Sequence, residues 1–492
     1  MKQSSTIAEE PLKNKVVKGA FWVFTSQIAT QLLAFAKNII IARVLSPNDF
    51  GLFGVALIAL SLFDVSFRTG FNAALIQKKE NIEEYLDTAF VINIIRGFIL
   101  FVLLLFSAPV ISIFFKNEAV IPVIRVISFN FLINGFVNPG TVYFVKELNF
   151  KKQFYWDASK IITDVVVVIS IVFLLRNVWV LVVSSISSYL VRMVVSYFIN
   201  SFRPKFRFKK EYALDLFKFG KWVLFSNVLV YLITQGDSAF VGRTLEISIL
   251  GLYKMAYTFS NIPTTQISNV IAKVSYPAYS KIQDNIQRLR DAYLRILQIT
   301  TLLSIPFTGF IFILAPDFTR LFLGAKWMPM VPAMQILVFA GLIRSIAATT
   351  GVLFYAVGKP KIDTVWQIIR LCVLAILIYP FTIKWGISGT SIAVFLSIFI
   401  SNIGFSLMAI KIAECTVKKF LATMIPPLVS GIISVLIVFG LKNFIGEEIR
   451  DFIVVAFVGV LIYIFITFLA GKYFNSGYLG LIKESIKTVK RN

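Results

Sequence analysis

The chain has 492 residues, 58% of them hydrophobic and only 15% charged, with a mean hydropathy of +0.81. Soluble domains carry about 25% charged residues, so this composition excludes a soluble globular protein and requires a membrane one. The net charge of +24 does not argue for nucleic acid, because the basic residues sit in short segments between apolar runs, the pattern of cytoplasmic loops.

In chain order, the first fifteen residues are polar and lysine-bearing. The apolar run after them is too long for a signal-peptide core and has no small-residue cleavage site, so it is expected to stay as the first span. A helical span needs about twenty apolar residues. Such runs cover roughly 16–42, 50–70, 89–115, 119–145, 155–175, 178–200, 218–242, 247–272, 293–314, 330–357, 362–384, 387–412, 418–440 and 451–471. The fold class predicted is all-α, a polytopic membrane protein of about fourteen transmembrane helices. No connection is long enough to carry a globular domain. Alternate loops hold nine Lys and Arg on one side and twenty-eight on the other, which predicts that both termini are cytoplasmic.

The chain also repeats itself. Arg43-Val-Leu-Ser-Pro-Asn-Asp-Phe-Gly-Leu-Phe53 is echoed two hundred residues later by Arg243-Thr-Leu-Glu-Ile-Ser-Ile-Leu-Gly-Leu-Tyr253. Ungapped alignment of 18–53 with 218–253 gives nine identities, among them Trp22/Trp222, Arg43/Arg243 and Gly51/Gly251. Each copy starts on the same side of the membrane, so the repeat is parallel, with an axis along the membrane normal. The predicted layout is a cytoplasmic N-terminus (1–15), an N-terminal six-helix bundle (16–200) and a basic cytoplasmic linker (201–217). A C-terminal six-helix bundle (218–412), two additional helices (413–471) and a basic cytoplasmic tail (472–492) follow. The linker, aromatic and basic, is expected to lie as a strap on the anionic inner leaflet. The two copies of the repeated turn are expected at the outer ends of helices one and seven. Gly51 and Gly251 would there permit tight entry into the next span. Arg43 and Arg243 would sit at the outer mouth, the whole forming an outer-gate corner. Trp22, Trp179, Trp222, Trp327 and Trp385 are read as interface anchors, and Pro306, Pro380 and Pro426-Pro427 as kink positions.

No histidine is present, and Cys372 and Cys415 lack metal-ligand spacing, so no metal site is expected. There is no Walker or GxGxxG loop and no catalytic constellation, so the chain is not expected to be an enzyme or to hydrolyse ATP.

Four stretches carry a family resemblance: Ala42–Phe53; Gly70-Phe-Asn-Ala-Ala-Leu-Ile-Gln77; Tyr276-Pro-Ala-Tyr-Ser-Lys-Ile-Gln-Asp284 with Arg288-Leu-Arg290; and Phe322-Leu-Gly-Ala-Lys-Trp-Met-Pro329. They resemble the polysaccharide-transporter branch of the multidrug/oligosaccharidyl-lipid/polysaccharide (MOP) exporter superfamily, in particular Wzx-type flippases of the colanic-acid and teichuronic-acid kind. The resemblance implies two six-helix bundles around a cavity that opens alternately to either side of the bacterial inner membrane. It implies as cargo an undecaprenyl-diphosphate-linked oligosaccharide. It further implies contact with membrane lipids, a polysaccharide polymerase and chain-length regulator as partners, and action as a monomer. No cofactor is implied beyond a coupling ion, Na+ or H+. A cation-exporting antiporter of the same fold and a membrane polymerase or ligase are the competing readings. Short outward loops argue against the second and a basic interior against the first.

A charge at mid-membrane costs about 2.5–3.5 kcal/mol, so such residues should face a cavity or a partner. Lys37, Arg96, Arg125, Arg192, Arg344 and Arg370 are the candidates for holding an anionic cargo head, because guanidinium suits bidentate phosphate contact. The competing reading is that several snorkel to lipid headgroups. Asp237, Asp64, Asp157 and Asp164 are the coupling-ion candidates. Lys37 and Asp237 are repeat equivalents of opposite charge and are expected either to approach each other or to divide phosphate and cation between them. Asp64 is expected to pair with Arg68 at i,i+4. Asp157, Lys160 and Asp164 share one helical face.

Overall fold

The computed structural model describes residues 29–67, 75–76, 82–147, 149–442 and 448–473, and the backbone alone at 214–227, 262–270, 272–274 and 470–473. The N-terminal fifteen residues, Trp22, Arg68, most of the Gly70–Gln77 motif and nearly all of the basic tail lie outside the described residues, as does the side chain of Trp222. Among the described residues all regular structure is helical. A bilayer enforces this, since only a helix or a closed barrel satisfies every backbone N–H and C=O within the spanning segment.

The helices in chain order are α1 (29–44), α2 (Pro47–Ser66), α3 (Glu83–Phe115), α4 (Val120–Ile127), α5 (Phe129–Gly135), α6 (Val142–Lys146), α7 (Phe150–Leu175) and α8 (Trp179–Ile199). Then come α9 (Lys210–Thr244), α10 (Ile247–Ile282), α11 (Ile286–Phe318), α12 (Val331–Ala356), α13 (Pro360–Ile412), α14 (Val417–Leu441) and α15 (Ile449–Tyr473). They fall where the apolar runs lie. Among the described residues nine stretches are long and apolar enough to cross a membrane, and a tenth does so as a broken span.

That broken span bends by 72° between Val120–Gly135 and Pro139–Lys146. The cause is local: Pro139 offers no N–H, and the fully buried Asn138 side chain accepts from the Gly140 N–H at 2.8 Å. α13 is likewise two spans in one run. Its backbone breaks at Trp385 and Gly386, where Gly386 has φ +58°, a conformation that favours glycine. Pro380 sits inside the same helix, whose non-helical residues are Trp385 and Gly386.

The chain folds as two compact units, Met1–Gly251 and Leu252–Asn492. The division falls beyond the linker, because α9 packs along α2 and α3. Tyr231 donates to the Ile58 carbonyl at 3.0 Å and Arg243 to the Phe114 carbonyl at 2.8 Å.

In unit 1, Ile41, Leu45, Val168, Val172, Val180 and Leu181 clasp α1 to α7 and α8. The linker 201–209 has no regular secondary structure and is pinned to the start of α3. The Lys205 N–H donates to the buried Asp87 at 2.8 Å, Asn138 donates to the Phe202 carbonyl at 2.7 Å, and Lys209 and Tyr212 both reach Glu84. In unit 2, α14 and α15 pack on α11 through glycines. A Cβ on Gly431 would lie 2.4 Å from Ile305, and one on Gly309 would lie 2.2 Å from Val435. α11 and α12 share buried hydroxyl pairs, Thr300 with Thr349 at 2.9 Å and Tyr293 with Thr350 at 3.0 Å. Such pairs suit helix contacts in lipid, where small residues admit close approach and hydroxyls find partners across the seam. Trp327, expected at the interface, is instead fully buried in the turn that follows α11, and so is part of the packing. Trp385 is half exposed beside the α13 break.

Candidate functional site

The repeated turn is the first element to place. Ser46 caps α2: it accepts from the Asp49 N–H while Asp49 accepts from the Ser46 N–H, a capping box with Pro47 in the first turn. The other Asp49 oxygen takes the Val178 N–H at 3.0 Å and so fastens the start of α8 to the same corner. Gly51 and Gly251 meet here. A Cβ on Gly51 would lie 1.9 Å from the Ile247 carbonyl oxygen, and one on Gly251 would lie 1.9 Å from the Pro47 carbonyl oxygen. The contacts are reciprocal under the two-hundred-residue offset. Neither glycine is among the positive-φ residues. Their requirement is therefore close helix approach, not the tight turn that was expected. Arg243 lies over Phe114 and donates to its carbonyl at the C-terminal end of α3, where a cation complements the helix dipole. Arg43 is exposed at the end of α1.

Six of the membrane-embedded charges of unit 1 are arranged as three pairs. Lys37 of α1 bonds Asp164 of α7 at 2.6 Å, with side-chain exposures of 18% and 23%. Arg96 of α3 bonds Asp64 of α2 at 2.6 Å and also donates to the Asp64 carbonyl at 3.1 Å. Arg192 of α8 bonds Asp157 of α7 at 2.9 Å, stacks on Trp156 at 3.8 Å, and accepts the Trp156 indole N–H on its carbonyl. Gln153 donates to the other Asp157 oxygen at 2.7 Å, and Lys160 lies over the Tyr189 ring at 3.8 Å. The face shared by Asp157, Lys160 and Asp164 therefore turns toward α1 and α8. Three candidate anion holders and three candidate coupling acids are each other's partners. Lys37 bonds Asp164 and not its repeat counterpart Asp237 among the described residues, and the described partner of Asp64 is Arg96. Asp237 is buried on α9, at 2% exposure, with the Ser238 N–H on its carboxylate at 2.6 Å. Arg125 is exposed on α4, with no ion pair among the described residues.

Unit 2 is arranged otherwise. Arg344 of α12 donates through Nη1 to the Tyr257 hydroxyl at 2.6 Å and through Nε to the Ala340 carbonyl at 3.4 Å. Its Nη2 is buried with no hydrogen-bond partner. A cavity of about 40 Å³ lies against it, lined also by Trp366, Gln367 and Arg370 from the first half of α13 and by Ser401 and Asn402 from the second. Among the described residues no carboxylate lines this cavity. Sequence reasoning named both arginines but not Gln367, Ser401 or Asn402. The helical spacing of Trp366 to Arg370, one turn, was the available signal for the α13 face.

Residues 40–332 match the sequence pattern of a family described as "Polysaccharide biosynthesis protein". The chain belongs to this family. Among curated proteins it is similar to the lipopolysaccharide biosynthesis protein WzxC of Escherichia coli K12, 25% identical over 72% of each chain. It is also similar to the teichuronic acid biosynthesis protein TuaB of Bacillus subtilis 168, 24% identical over 72% of this chain and 74% of that one. Among solved structures, the lipid II flippase MurJ in an inward closed conformation superposes with a TM-score of 0.75 over 94% of this chain and 99% of that one, at 15% identity. An inward-facing multidrug-resistance MATE transporter of the MOP superfamily gives 0.65 over 80% and 98%, at 17% identity. The fold of this polysaccharide biosynthesis protein is thus that of the MOP-superfamily transporters.

Proposed function

We propose that this protein is a flippase that moves an undecaprenyl-diphosphate-linked oligosaccharide from the cytoplasmic to the outer leaflet of the bacterial inner membrane by alternating access. It performs transport, not catalysis, with both termini in the cytoplasm. The observation that carries the reading is the match to the polysaccharide biosynthesis family, together with the Arg344 guanidinium, whose Nη2 is buried without a hydrogen-bond partner beside a cavity that Arg370 also lines. A guanidinium buried with an unfilled donor suits an anionic cargo. The same observation weighs against export of cationic drugs, which favours an acidic cavity. Relatives named for lipopolysaccharide, teichuronic acid and succinoglycan biosynthesis support a saccharide cargo. Asp237, the most buried of the four candidate acids, is the proposed carrier of a coupling Na+ or H+. The membrane part of the cargo would remain in lipid while its diphosphate and sugars cross. The test is deletion of the gene with complementation. Surface polysaccharide should disappear, and lipid-linked repeat units should accumulate on the cytoplasmic leaflet. Normal surface polysaccharide with no accumulated intermediate would refute the proposal.

A further inference from the structure

We infer that the strap of unit 1, residues 203–210, is a docking surface for the anionic headgroups of the surrounding bilayer. Phe206 and Phe208 seat in the interfacial layer, and Lys205, Arg207 and Lys210 meet lipid phosphates. The partner is bulk membrane lipid and not the cargo, so the inference does not rest on the flippase reading.

Exposure and charge carry it together. Phe206 is 77% exposed and Phe208 55%. Lys205, Arg207, Lys209 and Lys210, beside and between them, are exposed as well. Phenyl rings left in water are unfavourable, and the boundary between headgroups and acyl chains takes up rings and cations at once. The neighbouring acids do not neutralise the strap. Glu84 takes Lys209 and the Tyr212 hydroxyl, and Asp87 takes the Lys205 backbone N–H. Among the described residues Lys205, Arg207 and Lys210 form no ion pair. Segments 83–87, 146–152 and 201–211 meet around a cavity of about 800 Å³ at this end of unit 1, and together they hold eight cations against five acids. An anionic bilayer surface attracts such a cluster, by roughly fivefold in affinity for each cation.

The strap is also held in place. The Lys205 N–H donates to Asp87 at 2.8 Å, the Lys209 N–H to the Thr88 hydroxyl at 3.3 Å, and Asn138 to the Phe202 carbonyl at 2.7 Å. The Phe206 ring packs on that of Phe90 in α3, with centroids 5.5 Å apart. A disordered basic tail would lose conformational freedom on meeting a membrane, and this strap has already lost it on folding. The two rings favour lipid over an acidic protein segment, which would answer the cations and leave the rings in water. The Phe206 and Phe208 N–H groups make no hydrogen bond among the described residues, so their exchange with solvent reports directly on cover from outside.

The experiment is amide hydrogen exchange of the full chain in nanodiscs of phosphatidylcholine, with or without phosphatidylglycerol. Exchange in peptides covering 204–210 should be slower by about fivefold or more when phosphatidylglycerol is present. The slowing should fade in 1 M salt, where the screening length falls to about 3 Å. Phe206→Ser with Phe208→Ser keeps every charge and should lose most of the slowing. Lys210→Gln should weaken it by about fivefold, the factor for one cation at an anionic surface. Peptides covering Lys281–Arg288, in the exposed connection between α10 and α11, are the control and should respond little. Thermal melting checks that each variant is folded. Equal exchange in the two kinds of disc, or a slowing that the control shares, would overturn the inference. So would slowing by inorganic phosphate in phosphatidylcholine discs, which would make the strap a free-phosphate site. Slowing there by a polyglutamate peptide, undiminished in the double serine variant, would reassign it to an acidic protein partner. None of these readouts involves flipping, so the strap can fail while the flippase reading stands, and the reverse.

Discussion

Gly51→Ala is the sharpest test of the crossing at the repeated turn. The added methyl would lie 1.9 Å from the Ile247 carbonyl oxygen and 2.7 Å from the Ile247 carbonyl carbon, and neither is the free end of a side chain. An ordinary contact begins near 3.4 Å, so the starts of α2 and α10 must part by about 1.5 Å, the difference between those two distances. Overpacking of this sort costs about 1–3 kcal/mol, and a backbone-on-backbone clash belongs at the upper end. The alternative origin of such glycines, a positive φ, is removed by the backbone angles. Alanine is otherwise the better helix former by up to about 1 kcal/mol. Steric cost and propensity therefore have opposite signs, and the sign of the measured change decides between them. The assay is thermal melting of detergent-solubilised protein by the emission of its tryptophans. At about 2–4 °C per kcal/mol for a unit of this size, the midpoint should fall by several degrees. Gly251→Ala, which meets the Pro47 carbonyl oxygen at the same 1.9 Å, should fall equally, and Gly440→Ala, in open space, should not. A raised or unchanged midpoint for Gly51→Ala would refute the close-approach argument.

Three further outcomes follow from particular contacts. Lys37→Met or Asp164→Asn alone should destabilise unit 1 by about 1–3 kcal/mol, below the 3–5 typical of a fully buried pair because both side chains remain about one-fifth exposed. The exchanged variant Lys37→Asp with Asp164→Lys should recover more than half of that in a double-variant melting cycle, and additive losses would disprove the pairing. Asn138→Ala removes two side-chain hydrogen bonds at a fully buried bend, one accepted from the Gly140 N–H and one donated to the Phe202 carbonyl. The two side-chain bonds lost should cost about 2–4 kcal/mol and release the linker to protease at Arg203–Lys209, and an unchanged digestion pattern would count against the pinned strap. Gly404→Ala should cost about 1–3 kcal/mol by striking the Trp366 ring, and Trp366→Leu in the same chain should restore the melting point, since the neighbour that clashes is a side chain and not backbone. A persistent loss in the double variant would place the clash elsewhere.

The helices were legible because hydropathy alone marks a twenty-residue apolar run, and the parallel repeat because nine identities survive without a gap. The Ser46–Asp49 capping box was also legible in principle, as Ser-Pro-Asn-Asp ahead of an apolar run. What the sequence concealed was partnership. Lys37 and Asp164 are 127 residues apart, and nothing local on α1 points to α7. The repeat drew attention to Asp237 instead, because equivalence under a pseudo-twofold puts two residues at matching depth without putting them in contact. The same limit explains Asp64: an i,i+4 neighbour is visible in one dimension, and Arg96 on the next helix is not. The stripe of Asp157, Lys160 and Asp164 was readable as one face, yet the residues it meets, Tyr189, Arg192 and Lys37, come from two other helices. Trp327 misled because a span-end position fits both an interface anchor and a buried wedge.

The pairing in unit 1 bears on energetics of another kind. An elementary charge carried across the membrane does work of about 2.3 kcal/mol per 100 mV. Lys37–Asp164, Arg96–Asp64 and Arg192–Asp157 each sum to zero, so the membrane potential exerts no net pull on them as they move. A charge outside such a pair would feel the field in full, and Arg344, whose partners among the described residues are the Tyr257 hydroxyl and the Ala340 carbonyl, is such a cation. An anion seated against Arg344 would offset its charge, so empty and loaded forms would differ in how strongly the field drives them.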